Sequence, residues 1–163
     1  MTELGVYGKR AELIRGIVFE KPAMPPVHTK LSKRLYDQIL RLRLPGCVVF
    51  HAAPLTFRDS EPIRDLMVVL GANSDFDQRH PSTAELVIEV AVSSASLDRE
   101  NAVLYAEAGV KEYWIVLGGR QQVEVYRELE NGEYRERRTY AGQDELVCTS
   151  LPAIRVSLPA LFA

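Results

Sequence analysis

The stretch Ala84-Glu85-Leu86-Val87-Ile88-Glu89-Val90-Ala91-Val92-Ser93-Ser94 is apolar at every position from Leu86 to Val92 except Glu89. A strand with one wet face alternates apolar and polar residues; this stretch does not alternate. Glu85 to Val92 is therefore expected to be a fully buried strand with a layer on each face of its sheet. A carboxylate in the middle of such a strand costs several kcal/mol unless something neutralises it. A proton, a basic side chain or a metal ion could each do so.

Outward from this strand the pattern extends in both directions. Upstream, Val27, Leu31, Leu35, Ile39 and Leu42 recur at helical spacing, which predicts a helix from about Pro26 to Leu44. Pro26 suits its first turn, and Pro45-Gly46 stops it. Strands are expected at Cys47 to His51, Leu55 to Arg58 and Pro62 to Leu70, followed by a polar loop from Gly71 to Pro81. Glu12 to Glu20 reads as a short helical turn or strand and then a strand. Downstream, Ser93 to Leu97 turns the chain, Asp98 caps a helix through about Ala108, and Gly109 ends it. Glu112 to Leu117 is another buried strand. Gln121 to Glu128 and Glu133 to Tyr140 pair across the Asn131-Gly132 turn. Ile154, Val156, Leu158 and Leu161 supply apolar cover. The order predicts an α/β (α+β) fold: a mixed central sheet flanked by helices, with extra antiparallel strands toward the C-terminus.

The 163 residues suit one domain, 1–163. Net charge is −2, so the chain is no basic nucleic-acid coat, and any such contact needs a local patch or a metal ion. Cys47 and Cys148 are expected to be reduced thiols packed in the core. No apolar run is long enough to span a membrane, and Met1 to Gly5 lacks a leader pattern. A cytoplasmic protein with no membrane partner is the expectation.

Asp65 poses the same problem as Glu89, because it leads directly into Leu66-Met67-Val68-Val69-Leu70. Two carboxylates brought together repel, which raises a pKa or recruits a cation. A hard divalent ion such as Mg²⁺ takes oxygen ligands and would resolve both costs. The bland alternative pairs Glu89 with an arginine or lysine and leaves Asp65 to cap a strand end.

Several segments together resemble the Uma-two family, a large bacterial family of restriction-endonuclease-like proteins in the PD-(D/E)XK nuclease superfamily. Ala84 to Ser94 resembles its "E-V-S" strand. Asp98-Arg99-Glu100, Leu104 to Val110 and Glu112-Tyr113-Trp114-Ile115-Val116 resemble its "D…YA.AGV.EYW.V" signature. Glu12 to Gly16 resembles its opening, His28 the histidine that begins its long helix, and Asp59 to Leu66 its "PDL" strand. The match runs from about Glu12 to Tyr126.

The resemblance implies a restriction-endonuclease-like core and a metal-dependent endonuclease acting on nucleic acid, most simply DNA. Asp65 and Glu89 would ligate Mg²⁺ or Mn²⁺, with Glu12 as a third carboxylate and His28 as a phosphate or water contact. Such an ion lowers the pKa of its water and stabilises charge on the scissile phosphate. Many nucleases of this class pair to address two strands, so a homodimer is expected. Two departures stand out. Arg64 replaces the proline before the aspartate, a change expected to be mild. Ala91 stands at the strand position of the lysine, and the helix position that carries it instead falls at Asn101, beside Arg99. Asparagine carries no charge and arginine is a poor proton acceptor. A catalytically weak or inactive member, serving as a nucleic-acid-binding or oligomeric scaffold, is therefore the alternative.

Overall fold

The computed structural model describes residues 10–21, 24–93 and 95–163. Met1 to Gly5, read above for a leader pattern, and Ser94 of the expected turn lie outside them. The N-terminal segment is a hairpin, β1 (Arg10–Ile14) and β2 (Ile17–Lys21), with no helical turn. Its two turn residues, Arg15 (φ 48°) and Gly16 (φ 82°), are both left-handed, as a tight hairpin turn requires.

Helix α1 (Pro26–Arg41) buries Leu31, Leu35 and Ile39, one face at a spacing of four. It ends at Arg41, with Leu42 as its cap, a turn earlier than the apolar spacing suggested. A six-stranded sheet follows, in the order β3 (Cys47–Pro54), β4 (Ile63–Leu70), β5 (Leu86–Ala91), β6 (Glu112–Leu117), β7 (Gln122–Glu130), β8 (Glu133–Ala141). Only β5 and β6 run parallel, and helix α2 (Ala95–Glu107) joins them. The sheet is thus mixed and flanked by helices, as the alternation of elements indicated. Leu55 to Arg58 is not a strand. The Leu55 N–H bonds to Pro62 O, and Phe57 and Ser60 close a tight turn through Arg58 at φ 45°.

The lack of alternation in β5 and β6 has the expected cause. Leu86, Ile88, Val90, Trp114 and Val116 pack toward α1 and the C-terminal strands. Val87, Ala91, Tyr113, Ile115 and Leu117 pack toward Tyr105 and Ala102 of α2. The C-terminal segment closes the first core: β9 (Glu145–Val147) pairs with β10 (Arg155–Ser157), and α3 (Leu158–Leu161) follows. Ile154, Val156, Leu158 and Leu161 are all fully buried there. Cys148 is a buried free thiol, pushed up to about 11 by burial and by Glu112; Cys47 is free and half-buried. Among the described residues no helix is long and apolar enough to cross a membrane.

Candidate active site

Asp65 sits where the sheet opens. Pairing of β4 with β5 runs from Val68↔Leu86 to Leu66↔Ile88 and stops there. On its other side, the pairing of β4 with β3 skips Ala52, which stands opposite Asp65 with φ at 50°. Asp65 thus has no ladder partner on either side, although β4 stays paired with β3 at Leu66↔His51 and Arg64↔Ala53, and side chains hold the backbone at this point. The Asp65 N–H donates to Glu89 Oε1 (2.8 Å), and the Val90 N–H donates to Asp65 Oδ2 (2.8 Å). Two carboxylates thus replace ladder bonds that the divergence removes, which satisfies buried backbone donors.

Three more residues complete the centre. His28, on the first turn of α1, places Nε2 3.0 Å from Asp65 Oδ2. An ionised carboxylate can only accept, so Nε2 is the donor. Glu12, on β1, accepts from the Ile63 N–H (3.0 Å) and from Arg64 Nη2. Arg64 is 0% exposed, and its Nη1 lies 3.0 Å from Glu89 Oε2. That contact is an ion pair whose angle falls outside good hydrogen-bond geometry: neither Nη1 nor Nε has a hydrogen-bond partner among the described residues. The guanidinium also lies over the Tyr105 ring, 5.3 Å from its centroid. Burial opposes its charge, but Glu89, and after it Tyr105 and Glu12, hold its proton well above the usual arginine range. Burial pushes the Tyr105 hydroxyl up as well.

A cavity of about 430 Å³ opens onto this centre. Its walls are the β1–β2 hairpin, the start of α1, the ends of β4 and β5, and one face of α2. Glu12, His28, Asp65 and Glu89 all reach it, and all are buried. From α2 come Asp98, Asn101 and Leu104, spaced three apart on one helical face. Arg99 lies off that face. Its Nε is 3.0 Å from both oxygens of Glu124 on β7, outside the cavity.

A family model described as "Putative restriction endonuclease", Uma2, matches residues 6–159. The chain belongs to the Uma2 family. Among solved structures it is similar to "a putative nuclease belonging to DUF820" from Anabaena variabilis ATCC 29413. The TM-score is 0.79 at 20% identity, over 93% of this chain and 89% of that one. That likeness speaks for the fold. No curated protein matches.

The Uma2 fold thus brings five of the six residues singled out in the sequence to one cavity: Glu12, His28, Asp65, Glu89 and Asn101. It does not bring Arg99, and the reason is helical phase. Helix α2 begins at Ala95, so Asp98 lies inside its first turn and does not cap it. Asp98 is itself buried and lines the cavity, a role that reading it as a cap missed. The signal was present, since Asp98 is the first letter of the signature it shares with the family. Arg64 was also missed, because it was read as a mild replacement of a proline. It is the buried cation between two of the three carboxylates.

The donor chemistry suits a hard divalent cation. Asp65 and Glu89 present carboxylate oxygens to one cavity, and the further buried carboxylate of Asp98 leaves the centre negative despite Arg64. Among the described residues no three His, Cys, Asp or Glu side chains form a ready-made cage. Mg²⁺ does not ask for one: it is commonly held by one or two carboxylates and keeps much of its water.

Proposed function

We propose that this chain is a divalent-metal-dependent nuclease that hydrolyses phosphodiester bonds in DNA, with Asp65 and Glu89 holding Mg²⁺ or Mn²⁺. The observation that carries this reading is the divergence of β4 from β5 at two buried carboxylates that face one open cavity. A structural ion pair needs an arginine and a closed core. Here the arginine lies behind the carboxylates and a cavity lies in front of them.

Each residue has work that follows from its place. Asp65 and Glu89 are held by backbone donors, so their carboxylates are oriented toward the cavity before any ligand arrives. His28 fixes the orientation of Asp65 and presents its ring to the same cavity. The bound cation supplies an activated water and charge neutralisation at the phosphate. Arg15 is at the cavity rim, paired with Glu107 at 3.3 Å, where it meets solvent and an approaching phosphate. Asn101 can hydrogen-bond a water or a phosphate oxygen but cannot take a proton.

That last point favours a second reading. No lysine lines the cavity among the described residues, so the proton acceptor usual for the superfamily is missing from its expected place. A chain that binds nucleic acid and cuts it slowly or not at all is the alternative. Plasmid and linear DNA incubated with Mg²⁺ or Mn²⁺ decides between them. The nuclease reading expects cleavage that falls at least about a hundredfold in Asp65→Asn and Glu89→Gln. Equal cleavage by Asp65→Asn and the parent contradicts it. DNA binding in Ca²⁺ with no cleavage in any ion supports the scaffold.

A further inference from the structure

Metal-dependent phosphoryl chemistry can use one cation or two. Resting on the reading above, we propose that Arg64 is a resident counter-ion that withdraws Glu12 from ligation and limits this centre to a single divalent cation on Asp65 and Glu89.

Arg64 is fully buried, and Glu12 and Glu89 are nearly so. A buried guanidinium is tolerated only beside carboxylates, and these two supply them. Glu12 accepts from Arg64 Nη2 and from the Ile63 N–H. Both bonds fall on Oε1, and both hold the carboxylate against β4. Glu89 is shared differently. Its Oε2 faces Arg64, while its Oε1 takes the Asp65 N–H. Arg64 does not line the cavity, so it cannot reach a phosphate and does not stand in for the missing lysine. Its positive charge acts from behind, on the carboxylates. A second divalent ion near Glu12 and Glu89 would meet that charge at close range, in a medium where it is poorly screened. The Tyr105 ring beneath the guanidinium and the Ile63 N–H fix the arrangement from both sides.

Arg64 is thus a positioning residue, and its signature is a count of bound ions, which loss of packing alone does not raise. Mn²⁺ uptake measured by electron paramagnetic resonance, with thermal melting alongside, reads it. The parent should take one Mn²⁺ per chain in this cavity. Glu12→Gln should keep that ion with its affinity changed less than about tenfold, while Asp65→Asn loses about a hundredfold or more. Arg64→Met should take up additional Mn²⁺, and its melting temperature should rise more on Mn²⁺ addition than the parent's does. Arg64→Lys, which keeps the charge, should return the count to one.

If Glu12→Gln loses the ion as Asp65→Asn does, Glu12 is a ligand and the proposal is overturned. It is overturned equally if Arg64→Met folds and binds no more Mn²⁺ than the parent. In both cases the metal centre at Asp65 survives. If the parent takes up no Mn²⁺ and Arg64→Met does, Arg64 excludes every cation, the single-cation proposal is overturned and the nuclease reading fails with it. Uptake by neither overturns both. Should Arg64→Met not fold, Glu12→Gln in the parent background still decides.

Discussion

Arg64 and Glu89 show how a single buried charge sets the terms for its neighbours. Glu89 is 2% exposed, and its carboxylate meets the Asp65 N–H on one side and a guanidinium on the other. Removing Arg64 leaves two carboxylates in a medium that solvates them poorly. In metal-free buffer Arg64→Met should therefore cost about 3–5 kcal/mol of stability, read as a lower urea midpoint. A loss of less than about 1 kcal/mol would show that water reaches these carboxylates freely. At this scale the sequence was legible where it broke a pattern. Glu89 and Asp65 interrupt apolar runs, and His28 stands at a helix start. Arg64 broke no local pattern, since its partners lie 52 positions upstream and 25 downstream. Side-chain reach across such separations leaves no trace in spacing.

The elements explain why some of those residues converge and one does not. The ends of β4 and β5 separate where side-chain oxygens replace ladder bonds, and the cavity occupies the opening. Strand and helix boundaries were legible to within a few residues, because buried strands lack alternation and α1 carries its stripe. The start of α2 at Ala95, four residues before the first position after an Asp98 cap, was not. Arg99 and Asn101 lie about 200° apart around that helix, so Asn101 faces the cavity while Arg99 faces β7. There Arg99 meets Glu124, which is also bound by Arg137 Nη2 at 2.8 Å. Burial alone would raise the Glu124 carboxyl, but Arg99 and Arg137 together hold it below the ordinary glutamate range. A depressed carboxylate stabilises the fold above its unfolded pKa and loses that contribution as pH falls through its folded pKa. The stability gap between the parent and Glu124→Gln should be full near pH 7 and close below about pH 4. Thermal melts across that range check it. Both arginines are substantially exposed, so added salt should narrow the gap. A gap that is unchanged at pH 3 contradicts the assignment.

On the scale of the whole molecule, two cores share one sheet, and the C-terminal segment is pinned to the first by a buried polar knot. Glu112 is fully buried and accepts from Trp114 Nε1 (2.6 Å), Arg127 Nη2 (3.2 Å) and Thr149 N and Oγ1 (3.0 and 2.8 Å). Arg34 of α1 donates to Leu161 O and Ala163 O, so its guanidinium is spent on docking the tail. Glu112→Gln should cost about 3 kcal/mol, followed by Trp114 fluorescence in urea, because it turns a four-way acceptor into a partial donor. An unchanged midpoint would mean that the knot is dispensable. The tail's apolar residues were legible as core cover, but the knot was not, since Glu112 sits at a strand's first position, where a glutamate is ordinarily wet. The central claim is that the opening between β4 and β5 is a cation site. Anomalous diffraction from crystals soaked in Mn²⁺ tests it most directly. The expected result is one strong peak in the cavity within ligating distance of the Asp65 and Glu89 carboxylates. Well-ordered carboxylates with manganese bound only elsewhere would contradict it.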